Sequence, residues 1–205
     1  MSKIEEIVIL LPNIFKSASF YKNEYALRVL LEDTSFSPYS LFQSIHRAKD
    51  ILLSMFLNDS DIYYIKVRRM NDISRLEVFN DDVNDSEYLE KIVKPYEKFE
   101  EDFEDFGCVY AQYSMYKAKK TEKIIIDLLW DPLATTFHES LSFTTENDYE
   151  IYFISPDNVW SFYPYDNRGA DIICKDLTTY RETYKKLEPY LFEHDIELMK
   201  KRLQY

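Results

Sequence analysis

Residues 150–174 read EIYFISPDNVWSFYPYDNRGADIIC, and this stretch decides the fold. Tyr149 to Ile154 and Val159 to Tyr165 are rich in β-branched and aromatic residues, which suit a pleated, half-buried surface. Between them Ser155-Pro156-Asp157-Asn158 is a turn sequence, because proline presets φ and asparagine or aspartate bonds its own backbone. Asp166-Asn167-Arg168-Gly169 makes a second turn, and Ala170 to Cys174 is apolar again. Three strands joined by such short turns must run antiparallel.

Working outward, Ala26 to Leu31 (ALRVLL) reads as a short buried strand, Ile62 to Val67 as another and Val109 to Tyr116 as a third. Leu41, Phe42, Ile45, Ala48, Leu52, Met55 and Phe56 recur at the helical period, so Tyr39 to Leu57 is predicted as a helix. Thr121 to Trp130 admits either a buried helix or a strand; a helix stopped at Pro132 is favoured. Leu177 to Leu191 and Asp195 to Leu203 are predicted helices, with Pro189 disturbing the run between them. The expectation is a single α+β domain over residues 1–205: a mostly antiparallel sheet of about six strands, covered by helices.

The net charge is −12, and it is unevenly spread. From Glu77 to Asp105, 29 residues, twelve carboxylates face three lysines, which places −9 there and leaves −3 on the rest. Tyr88, Ile92, Tyr96, Phe99, Phe103 and Phe106 are spaced three or four apart within this segment. The spacing predicts an acidic amphipathic helix inserted mid-chain over 77–106, capped near Ser86 and kinked or split at Pro95. Its outward carboxylates, Glu90, Glu97, Glu100, Glu101, Asp102, Glu104 and Asp105, form the candidate partner-binding face. Arg68, Arg69 and Arg75 make a small basic patch just upstream.

Several function classes are excluded. The only glycines are Gly107 and Gly169, and phosphate-cradling loops need several close together. A standard dinucleotide fold, a P-loop NTPase and a protein kinase are ruled out on that ground, and no serine can sit in Gly-x-Ser-x-Gly. Cys108 and Cys174 are too far apart for a thiol-pair motif and are read as reduced, partly buried thiols. His46, His138 and His194 are isolated from one another, and the Asp81, Asp82, Asp85, Glu87 loop lacks Ca²⁺-loop spacing, so no metal and no cofactor is assigned. The apolar run Ile7 to Leu11 is too short to span a membrane. The chain is therefore expected to be cytoplasmic, off the membrane, and not to bind nucleic acid directly, since phosphates are repelled by its acids.

The block Glu150 to Pro156 followed by Tyr165-Asp166-Asn167-Arg168-Gly169-Ala170-Asp171-Ile172-Ile173 resembles the most characteristic part of a bacterial family, DUF3885. That family shows a Val-Tyr-Phe-Ile hairpin, then Tyr-Asp-Asp-Arg-Gly and Asp-Val-Ile; Asn167 stands where its second aspartate is usual. Ala26 to Glu32, Arg47-Ala48 and Ile62 to Tyr64 resemble the pattern as well, so the likeness covers about residues 20–203, with no counterpart for the acidic segment. The resemblance implies a shared fold and a bacterial source, but no activity.

Asp166, Arg168 and Asp171 form the second candidate site, as a structural turn or as a ligand site. An aspartate caps the turn, Gly169 supplies a positive φ, and Arg168 pairs with Asp171 or a strand neighbour. The leading functional expectation is a non-enzymatic binding protein of the immunity or antitoxin type, which neutralises a basic toxin through its acidic surface. The alternative is a small enzyme or ligand-binding domain using the Asp166/Arg168 turn, with Arg28 or Arg47 pointing into an adjoining pocket.

Overall fold

The computed structural model describes residues 1–16, 18–32, 38–70, 86–95, 110–134, 149–155, 157 and 159–204. They form seven strands in one wholly antiparallel sheet: β1 (Ala26–Leu30), β2 (Asp61–Met70), β3 (Ser86–Pro95), β4 (Tyr110–Lys119), β5 (Glu150–Ile154), β6 (Trp160–Asp166) and β7 (Gly169–Cys174). The order across the sheet is β1-β7-β6-β5-β2-β4-β3. The expected meander is its central part, β5-β6-β7, and the class is α+β.

Six α-helices are described: α1 (Lys3–Leu10), α2 (Ser19–Lys22), α3 (Pro38–Met55), α4 (Glu122–Ala134), α5 (Leu177–Leu187) and α6 (Ile196–Arg202). Three of them, α1, α4 and α5, start at a side-chain cap. Ser2 Oγ accepts from the Glu5 N–H at 3.1 Å while Glu5 accepts from the Ser2 N–H, a reciprocal cap for α1. Thr121 Oγ1 caps α4 through the Ile124 N–H at 3.2 Å, and Asp176 caps α5 through the Thr179 N–H at 2.8 Å. α4 does not stop at Pro132 but runs through it to Ala134. So close to the helix end, the missing proline N–H removes a single ladder bond.

Side chains alternate between two buried faces. Leu27, Ile172, Phe162, Phe153 and Tyr64 lie on one face by register, and α3 and α4 cover it, with Phe56 meeting the Trp160 ring edge-on at 4.8 Å. Phe42, expected inside, is 53% exposed. The other face carries Arg28, Asp171, Tyr152 and Tyr113. It is covered by α1, by α2 and by Phe15, whose ring sits 4.9 Å from Tyr152 and 4.8 Å from Tyr113.

The count of about six strands is corrected by β3. Residues 86–95 belong to the segment read as an acidic helix, and they form instead a ten-residue strand, nine of whose residues pair with β4. A bulge between Tyr88 and Glu90 explains the misreading. The extra residue, Leu89, shifts the alternation by one, so Tyr88 and Ile92 face opposite sides of the sheet although they are four apart. Pro95 kinks nothing; it is the last residue of a strand at the sheet's end, where a missing N–H is tolerated. The remainder of the predicted helix, 77–85 and 96–106, lies outside the described residues. Among the described residues no helix is long and apolar enough to cross a membrane.

Candidate functional site

The β6–β7 turn is closed by its own side chains. Asp166 Oδ1 accepts from the Arg168 N–H at 2.8 Å and Oδ2 from Arg168 Nε at 2.9 Å. Arg168 thus folds back on its neighbour two residues away and stays 70% exposed. Asn167 is fully buried: its amide donates to Glu32, and its backbone carbonyl accepts from Ser44 Oγ at 2.6 Å. The Arg168 carbonyl accepts from the Leu31 N–H at 2.9 Å.

Gly169 is required for space and not, as the sequence suggested, for a positive φ. A Cβ there would meet the Tyr165 hydroxyl and lie 2.9 Å from the Val29 carbonyl oxygen on the neighbouring strand. Tyr165 occupies the bulge between Pro164 and Asp166, which lays its ring over the glycine.

Asp171 does not join this turn. It lies directly opposite Arg28 in the β1–β7 register, and the two are bidentate: Arg28 Nε to Oδ1 at 2.8 Å and Nη2 to Oδ2 at 3.2 Å. Ser19 Oγ and the Phe20 N–H each donate to Asp171 Oδ2 at 3.3 Å. Asp171 is therefore also the missing N-terminal cap of α2, whose own cap position, Ala18, has no side-chain acceptor and sits at φ 52° in the left-handed region. Burial pushes the Asp171 carboxyl up, and the bonds from Arg28, Phe20 and Ser19 pull it back toward the ionised form.

Two arginines pack on the Phe20 ring, Arg28 at 4.6 Å from the centroid and Arg202 at 4.5 Å. Arg202 donates to the carbonyls of Ala26 at 2.6 Å and Phe20 at 2.9 Å, and burial lowers its pKa. Arg28 also reaches Asp195 Oδ2 at 3.5 Å and the Tyr21 hydroxyl at 3.3 Å. Sequence reasoning missed Arg202 and the Arg28–Asp171 pairing. The signal for the pair was present: each is the only charge inside an apolar strand, and a lone buried charge requires an opposite one.

Beyond this cluster the chain from Glu188 to Asp195 runs as a strap along the outer edge of β1. Leu191 bridges Val29, and the Phe192 N–H donates to the Arg28 carbonyl at 2.9 Å. Leu30, Arg47, Pro189, Tyr190, Leu191, Phe192, Glu193 and His194 line an open groove of about 590 Å³ beside the strap. Leu30 is the register partner of Gly169, so the groove adjoins the predicted turn and Arg47 is in its wall. Asp166 and Arg168 are not.

The acidic face is placed only at one residue. Glu90 sits on β3, where its carboxylate accepts from the Lys3 N–H at 2.8 Å near the start of α1. Glu97, Glu100, Glu101, Asp102, Glu104 and Asp105 lie outside the described residues. The basic run is split: Arg69 pairs with Glu150 at 3.0 Å, Arg68 is on the opposite face of β2, and Arg75 is outside the described residues. Among the described residues no three histidine, cysteine or carboxylate side chains come together as metal ligands.

No curated protein and no solved structure matches the chain. A family model, described as a domain of unknown function (DUF3885), matches residues 7–195. The match begins in α1, runs through every strand of the sheet and ends on the strap, and so the chain belongs to the DUF3885 family.

Proposed function

We propose that the protein is a non-enzymatic binding protein of the immunity or antitoxin type, working in the cytoplasm and holding a basic partner against its acid-rich segment. The observation that carries this reading is the concentration of −9 on residues 77–105, a segment whose middle is the last strand of the sheet order. β3 itself carries no net charge, Glu87 and Glu90 being matched by Lys91 and Lys94, so the surplus lies on the sequence that precedes and follows it. Charge gathered in one place speeds encounter with a cationic surface and discriminates against acidic ones. On β3 itself Glu87 is exposed, and Tyr88 is 54% exposed, which offers an aromatic contact among the acids.

The test is co-purification with the product of the neighbouring gene at low and high salt. The wild type is compared with a variant carrying Glu97→Gln, Glu100→Gln, Glu101→Gln and Glu104→Gln. The reading expects a toxic, basic partner whose binding weakens with salt and with neutralisation. A neighbour that is not a toxin, with no salt-sensitive binding, refutes it.

A second reading, a ligand-binding domain beside the β6–β7 turn, is favoured by one observation. The groove against β1 lies next to that turn and has Arg47 in its wall. In this reading the turn positions the groove, while Asp166, Arg168 and Asp171 bind each other or Arg28.

A further inference from the structure

The groove between α3, the outer edge of β1 and the Glu188–Asp195 strap has a definite chemical character. Its apolar lining is Leu30, Pro189, Leu191 and Phe192. Among the described lining residues the most enclosed charged side chain is Arg47, half-buried on α3, whereas Glu193 and His194 are exposed on the strap. A volume of about 590 Å³ falls within the roughly 300–1,000 Å³ typical of small-molecule sites.

The strap wall is held in place before any ligand arrives. Phe192 bonds the Arg28 carbonyl, Leu191 bridges Val29, and Asp195 contacts the Arg28 guanidinium, which Asp171 fixes in turn. A preformed wall spares the ligand the ordering cost that weakens binding to a floppy one.

We infer that this groove binds a small organic monoanion, with its carboxylate at Arg47 and its apolar body against Leu30, Leu191 and Phe192. A guanidinium offers a planar fork matched to a carboxylate. This inference rests on the ligand-binding reading and is independent of the acidic segment.

The experiment is an amide NMR titration of the full chain with phenylacetate as the probe. Phenylethylamine, with a similar body and opposite charge, and 2-phenylethanol, neutral, serve as comparisons. Saturable shifts at Leu30, Leu191, Phe192 and His194 are expected with phenylacetate. Binding is expected to weaken by about tenfold or more with phenylethylamine, and likewise in Arg47→Gln, because the charge-assisted fork is then lost. Arg47→Lys, which keeps the charge on the same helix position, should fall between wild type and Arg47→Gln.

Saturation by 2-phenylethanol or phenylethylamine as strong as by phenylacetate, or binding unchanged in Arg47→Gln, overturns the anion assignment while leaving a ligand groove. No saturable shift with any of the three overturns both the assignment and the ligand-binding reading.

Discussion

Removing the Asp171 carboxylate should be among the most damaging single changes in the molecule. Asp171→Ala strips the Arg28 guanidinium of its two shortest bonds, at 2.8 and 3.2 Å, in a place where the side chains are 4% and 15% exposed. The remaining carboxylate, Asp195, is at 3.5 Å. The buried cation then shares the Phe20 ring with Arg202 and has little to offset it. Breaking one side of a buried pair costs about 3–5 kcal/mol. The same change removes the cap of α2, adding about 1 kcal/mol. For a domain of this size each kcal/mol lowers Tm by roughly 2–4 °C, so a drop of about 8–24 °C is expected by circular dichroism.

Arg28→Met behaves differently, because a carboxyl left alone can take up a proton. Its folded pKa then rises well above the ordinary carboxylate value of about 3.9. A group raised in the folded state costs stability above that folded pKa, so Arg28→Met should regain stability as the pH is lowered through it. Urea unfolding of the two singles and the Arg28→Met/Asp171→Ala double closes the cycle. The double should be more stable than Asp171→Ala, because no unpaired buried charge remains. The reasoning fails if Asp171→Ala costs less than about 1 kcal/mol, or if the double is no more stable than either single.

Gly169→Ala should lose about 1–3 kcal/mol in urea titrations, since its Cβ would meet Tyr165 and the Val29 carbonyl oxygen at 2.9 Å, and a backbone atom of an adjacent strand cannot yield. Ala18→Gly should gain up to about 1 kcal/mol in the same assay, because φ 52° is strained for any residue with a Cβ. Cys174, buried and pushed up to about 12 by that burial, should stay unreactive to a thiol reagent at pH 8 in folded Cys108→Ser protein and react on unfolding. Asp61 is held down to about 2 by bonds from Lys119, Lys117 and Ser60. Its contribution is present above the unfolded value of about 3.9 and lost as pH falls toward 2, so Asp61→Asn should flatten the stability profile between those limits.

The sequence was legible where one period ruled. β5, β6 and β7 lie within a residue or two of their predicted bounds, because alternation, turn residues and short connections all agreed. α3 was equally plain: Leu41, Ile45, Ala48 and Leu52 are buried as their spacing requires. β3 was not legible, because a bulge makes an interrupted two-residue period look like a four-residue one, and only β4 alongside selects the strand. α1 was passed over as a bare apolar run, although Ser2 and Glu5 spell its capping box. At the candidate site the turn was legible because its bonds are local. Asp171 was misassigned because its partners, Arg28, Ser19 and Phe20, are more than 140 residues away along the chain. Asn167 shows the same limit: it holds Glu32 and Ser44, neither of which its neighbours in sequence announce.

The two ends of the sheet are managed by different means, and that contrast bears on function. A strand at the end of an antiparallel sheet offers unpaired N–H and C=O groups to any passing strand. At β1 the outward backbone is engaged: Phe192 bonds the Arg28 carbonyl, and Arg202 bonds the Ala26 carbonyl. The strap that does this is also the groove wall, so the means of closing the edge and the means of shaping a ligand site are one piece of chain. At β3 the devices are a bulge and a terminal proline, and the sequence on either side of the strand carries the surplus negative charge, since Glu87 and Glu90 on the strand are matched by Lys91 and Lys94. Bulge and charge both discourage pairing with a neutral or acidic strand. They do not discourage a cationic surface, which would neutralise the acids before it came within hydrogen-bonding range of the backbone. Protection of the β3 edge and selection of a basic partner therefore call for the same carboxylates. Neutralising them separates the two roles: self-association follows if the charge only guards the edge, and loss of a basic partner follows if it also binds one.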